Sequence, residues 1–135
     1  MCFNEFAVLY SGETKAPIYV FQRLNAAVLS DAQNLPCANW FYPKAHITFA
    51  ERSQLNDVKY SGWSRGHMAP AGDMSTLEGN AQSFSLANVV PKDSCHNSGA
   101  WSKNRTGHPE VRTPSLGGCL CDYRPAVRQG SPNHW

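Results

Sequence analysis

No run of about eighteen apolar residues occurs in this 135-residue chain, so no segment has the length of a helix that crosses a bilayer, and no membrane partner is expected. The opening MCFNEFAVLY has no basic stretch followed by an apolar one, so it does not read as a secretory signal. Charge is scarce, with 16% of residues Asp, Glu, Lys or Arg. The formal net charge of +2 is local: residues 1–103 carry eight basic and eight acidic side chains, and the excess lies in residues 104–135. A basic stripe that holds nucleic acid by charge alone is therefore excluded, and any phosphate contact has to be site-specific. The five cysteines form no Cys-x-x-Cys pair, so the usual zinc spacing is missing. A Cys2–Cys37 bridge is compatible with the sequence. There is no internal repeat and no low-complexity tract.

Nine prolines and ten glycines predict short elements and many turns within one domain. FAVLYSG and APIYVFQRL read as two strands joined by the polar turn GETK. LNAAVLSDAQNL predicts a short helix, and so does TFAERSQLNDV, with Arg52 and Asp57 on its polar side. RGHMAP reads as a short strand ended by Pro70. Ser75 and Glu78 stand at capping-box spacing before a further helix or turn. SFSLANVVP alternates and becomes β-branched, which predicts a strand closed by Pro91. A helix follows, with Asp93, Ser94 or Asn97 as its cap. The order from RGH onward is strand, connection, strand, helix: a ββα unit.

Chemistry concentrates in WSRGHMAPAGDM, residues 63–74. A neutral imidazole titrates near physiological pH and can take a proton from water. Residues two apart on a strand face the same side, so Arg65 and His67 can address one substrate group. Arg65 can neutralise charge that develops on a phosphate. Gly66 between them leaves room for a neighbouring backbone. A plainer reading competes: a surface arginine beside a half-buried histidine held in a turn. Downstream, Asn97, Trp101 and position 105 share the spacing of one helix face. An amide oxygen there can serve a hard cation such as Mg²⁺, which keeps most of its waters. The competing role for Asn97 is a simple helix cap.

RGHMAPAGDM followed by SFSLANVVPKDSCHNSGAW resembles the DNA/RNA non-specific endonuclease family, which has the His-Me finger (ββα-metal) fold. The family pattern is Asp-Arg-Gly-His, then Asn-x-x-Pro, then Asn-x-x-x-Trp-x-x-x-Glu. The likeness covers roughly residues 2–103, including CFNEFAVLYSG. It implies an α+β fold, an antiparallel sheet carrying a ββα-metal finger, incomplete at the C-terminal side. It implies metal-dependent hydrolysis of phosphodiester bonds in DNA and RNA with little sequence preference. His67 would be the general base, Arg65 would stabilise the pentacovalent charge, and Asn88 would support the site by hydrogen bonding. Asn97 would be the sole direct protein ligand of Mg²⁺ or another divalent cation, and Trp101 would pack the helix. Full-length family members are often secreted or periplasmic.

Two positions depart from the pattern. Ser64 stands where the family has aspartate, and Arg105 where it has glutamate. A cation in place of an anion about 4–6 Å from a metal–water cluster opposes the ion by a few kcal/mol, on the order expected at an effective dielectric near 20. After Lys103 the chain loses periodicity and aliphatic content, and residues 104–135 read as a structureless tail. A one-base shift in the codon of Asn104, with synonymous choice free, can yield IEQDTRKYVL and, from Gly118, DVYVITGPLFDKGHQTIG. A glutamate then replaces Arg105, followed by a family-like strand. The tail is therefore expected to be an out-of-frame translation. The alternative to an active nuclease is a catalytically dead remnant. His108, Cys119, Cys121 and His134 fit no zinc template, His46 and His96 read as structural or surface histidines, and Cys95 as a packing residue. An incomplete sheet is expected to leave apolar surface exposed and to favour association.

Overall fold

The computed structural model describes residues 1–32, 35–36 and 38–98. Cys37, Trp101, Arg105 and the whole 104–135 tail lie outside the described residues. The chain opens with strands β1 (Phe6–Ser11) and β2 (Ala16–Gln22), paired antiparallel. The polar turn between them is closed by Lys15 at φ 52°. The ladder slips between Leu9 and Tyr10, so Ile18 is the extra residue of a bulge. Phe6 and Val8 point inward and join Ala69 and Met74 in the core, with Phe3, Tyr10 and Val20 packed against them. Burying side chains of this size stabilises the fold by about 1.5–3 kcal/mol each. On the other face, Leu9, Tyr19 and Phe21 are exposed, with the two rings edge to face at 4.9 Å.

Helix α1 (Ala26–Ala32) starts where the Asn25 side chain accepts from the Val28 amide at 2.9 Å. It buries Leu29 and Ala32. Of the helix predicted across TFAERSQLNDV, only α2 (Leu55–Val58) forms. Upstream, Thr48 turns the chain instead: its carbonyl accepts from both Glu51 and Arg52 amides, and its hydroxyl donates to the Glu51 carboxylate at 2.7 Å. Asp57 lies in the first turn of α2, where its carboxylate accepts from the Gln54 amide at 2.8 Å.

Strand β3 (Ser64–His67) follows a turn at Gly62, whose φ of 82° suits glycine. Helix α3 (Leu77–Ser83) is capped by Thr76, one residue later than Ser75. The Glu5 carboxylate accepts from the amides of Ser75 and Thr76 at 2.7 and 2.9 Å, and from both hydroxyls. A β-carbon on Gly79 would collide with that carboxylate. Burial works to raise the Glu5 pKa, but these hydrogen bonds outweigh it and leave the group below its ordinary value. Glu5 thus ties the first strand to the start of α3.

The strand predicted over SFSLANVVP is shorter. Leu86–Asn88 forms a 3₁₀ turn, with the Ser85 hydroxyl accepting from the Ala87 amide at 3.3 Å. Strand β4 (Val89–Lys92) then pairs antiparallel with β3, Ser64 opposite Lys92 and His67 opposite Val89. Helix α4 (Ser94–Ser98) begins two residues later and packs against β3. Asp93 is its cap: its carboxylate accepts from the His96 amide at 2.9 Å and its carbonyl from the Asn97 amide at 2.8 Å. The ββα order expected from the sequence is present, on an α+β architecture of antiparallel strands and short helices.

Candidate active site

Burial alternates along β3. Ser64 and Gly66 are buried, while Arg65 and His67 are half-buried. The two candidate chemical groups therefore share one side of the strand, as the period of two requires. The buried side is held by β4. The Ser64 hydroxyl donates to the Lys92 carbonyl at 2.9 Å. Lys92 crosses Gly66 and its ammonium donates to the His67 carbonyl at 2.9 Å. Gly66 is needed for this crossing: a β-carbon would lie 2.5 Å from Lys92 Cγ and 2.8 Å from Cε. The close neighbour is a lysine side chain, not the backbone that the sequence suggested.

On the other side, one ring joins the pair. The Arg65 guanidinium carbon sits 5.0 Å from the centroid of Phe41. The His67 ring lies 5.3 Å from the same centroid, tilted by 43°. Phe84 meets the His67 ring edge to face at 4.8 Å and Phe41 at 5.0 Å. Backbone bonds place the two phenylalanines together. The Tyr42 amide donates to the Phe84 carbonyl at 3.3 Å, and the Leu86 amide to the Tyr42 carbonyl at 2.9 Å. Each aromatic contact contributes about 0.5–1.5 kcal/mol beyond burial, and the cation–π contact about 0.5–1 kcal/mol at an exposed site. The Trp-Phe-Tyr run in ANWFYPKAHI has no periodicity to single out Phe41. Its role comes from a bridge between residues 42 and 85 that no local pattern announces.

Asn88 is fully buried. Its side-chain oxygen accepts from the Ala69 amide at 2.9 Å, and its side-chain nitrogen donates to the carbonyls of Ala69 and Ser83 at 2.8 and 2.9 Å. Its own carbonyl accepts from the Met68 amide at 2.8 Å. Every polar atom of this amide is thus spent on backbone, just beyond His67. Asn88 stitches the end of β3 to the turn before β4.

Asn97 lies inside α4, half-buried, with Asp93 already acting as the cap. Its side chain is not needed to close the helix. Among the described residues, no group of three or more His, Cys, Asp or Glu could hold a metal. The Asn97 side chain carries one amide oxygen, the donor type that fits a hard cation which keeps its waters. Cys95 is exposed on α4 and does not pack in the core. His46 and His96 are exposed, and Cys2 is an exposed thiol.

A histidine and an arginine on the first strand of a ββα unit, with an amide on the closing helix, define the class as a ββα-metal nuclease fold. The chain belongs to the DNA/RNA non-specific endonuclease family, whose model matches residues 1–104. It is 34% identical over 104 residues to the mitochondrial nuclease EXOG of Homo sapiens, covering 76% of this chain and 28% of that protein. It is 30% identical over 91 residues to the mitochondrial nuclease of Saccharomyces cerevisiae, covering 66% and 27%. In structure it matches a chain in a crystal structure of an EndoG/EndoGI complex with TM-score 0.69 and 27% identity, covering 78% of this chain and 44% of that one. The chain thus spans under a third of the length of these curated relatives. Both curated relatives are named as mitochondrial, whereas the resemblance had implied frequent secretion or a periplasmic location.

Proposed function

We propose that the chain carries the catalytic finger of a metal-dependent endonuclease that hydrolyses phosphodiester bonds in DNA and RNA with little sequence preference. The observation that carries this reading is the Arg65–Phe41–His67 arrangement: a base and a cation on one strand face, both against one ring. His67 takes a proton from the attacking water. Arg65 meets the charge that grows on the phosphoryl oxygens. Contacts to phosphate rather than to base edges explain weak sequence preference. Lys92 and Asn88 act through the backbone, at the His67 carbonyl and at the Ala69 amide, and hold His67 in place. Asn97 would hold a Mg²⁺-type ion, which supplies charge neutralisation at a phosphate oxygen and at the leaving oxygen. The mitochondrial naming of the animal and yeast relatives supports an organellar site of action.

A plasmid-nicking assay with Mg²⁺ tests the proposal. The chain is expected to convert supercoiled to open-circular DNA, and His67→Ala to lower the rate by about 10²–10⁴-fold, the usual weight of a general base. Nicking that survives His67→Ala would refute the assignment. The second reading is a catalytically dead remnant. It is favoured by Arg105 at the glutamate position. A folded preparation that does not nick supports it.

A further inference from the structure

Trp63 stands immediately before β3 and is 54% exposed. Its backbone is set by the preceding turn. The Ser61 hydroxyl accepts from the Trp63 amide at 3.2 Å while donating to the Val58 carbonyl at 2.8 Å. From Trp63 to His67 the chain alternates exposed, buried, half-buried, buried, half-buried. Ser64 points inward to the Lys92 carbonyl, so Trp63 falls on the side of Arg65 and His67. Among the described residues no aromatic or cation–π partner meets its indole, in contrast to Phe41 and Phe84. The indole is an exposed flat surface at the head of the strand that carries the proposed base.

We infer that Trp63 is a stacking platform for the nucleobase next to the cleaved linkage, in a single-stranded or locally opened segment. The inference rests on the nuclease reading above and deepens it. Two residues along a strand span about 6.6–6.8 Å. A base on Trp63 can therefore keep its adjoining phosphate at Arg65. Every base has a π-face, so stacking adds affinity without adding sequence preference. Residues 1–103 carry equal numbers of basic and acidic side chains, so a stacked base supplies attraction that the missing basic stripe does not.

The test uses the full chain with an oligodeoxynucleotide, in chelator and on the His67→Ala background so that no cleavage occurs. Binding is read by fluorescence anisotropy of a labelled oligomer. Trp63→Ala is expected to weaken binding about tenfold, and Trp63→Phe to restore most of it. An oligomer made of abasic sites is expected to bind the Trp63 chain about tenfold more weakly, and to bind Trp63→Ala no worse than that. This abasic comparison needs no substitution at Trp63, so a folding defect cannot mimic it. In cleavage by the otherwise unmodified chain, Trp63→Ala should raise KM and leave kcat nearly unchanged. Equal binding of normal and abasic oligomers, or no binding at all, would overturn the inference. Base-dependent binding without His67-dependent nicking would instead sink the nuclease reading and leave the platform standing.

Discussion

Replacing Gly66 by alanine tests the packing that builds the site. The added β-carbon would lie 2.5 Å from Lys92 Cγ and 2.8 Å from Cε, and closer still to Cδ. These atoms are the middle of the side chain, so Lys92 has to leave its path. Its hydrogen bond to the His67 carbonyl, 2.9 Å long, goes with it. A hydrogen bond from a charged donor contributes about 1.5–3 kcal/mol. Alanine offsets part of this, because glycine in a strand costs about 0.5–1 kcal/mol relative to alanine. Gly66→Ala should therefore destabilise by about 1–2 kcal/mol. In a Lys92→Ala background the obstacle is gone, and the same change should be neutral or stabilising by about 0.5–1 kcal/mol. The pair is thus expected to couple by about 1–3 kcal/mol. Urea denaturation of the four chains measures this cycle. Additivity within about 0.5 kcal/mol would mean that Gly66 is not there to pass Lys92, and the account of the Arg-Gly-His triplet would fail.

Phe41→Leu removes the ring shared by Arg65 and His67, and should lower kcat/KM about tenfold while Phe41→Tyr stays near the parent, as measured by initial nicking rates. Asn88→Ala leaves the Ala69 amide and the carbonyls of Ala69 and Ser83 without this partner, and should destabilise by about 3–5 kcal/mol, read by thermal unfolding. Glu5 has a folded-state pKa below its ordinary value. Its contribution is therefore complete above the unfolded-state pKa and lost as pH falls through the lowered one. The stability gap between the parent and Glu5→Gln, taken from urea midpoints, should be largest near neutral pH and shrink in acid; a gap that grows in acid would contradict the clamp. The exposed Leu9, Tyr19 and Phe21 face should produce concentration-dependent association in light scattering, reduced by Phe21→Lys.

The amino-acid sequence by itself determined the ββα order, the hairpin of β1 and β2, and the facing of Arg65 and His67. These follow from periods of two, from turn residues and from caps, all of which are local. It also carried the family resemblance, because the Arg-Gly-His and Asn-x-x-Pro runs are contiguous. Local signals were blurred where tertiary bonds competed: the α3 cap is Thr76, and Glu5, far away in the chain, holds both Ser75 and Thr76. The predicted long helix shrank to Leu55–Val58. Only the tertiary structure decided that Phe41 joins the two site residues, that Lys92 passes over Gly66, and that Asn88 is spent on backbone. Each of these depends on residues brought together from distant parts of the chain, where packing and hydrogen-bond satisfaction select the partner and no periodicity encodes it.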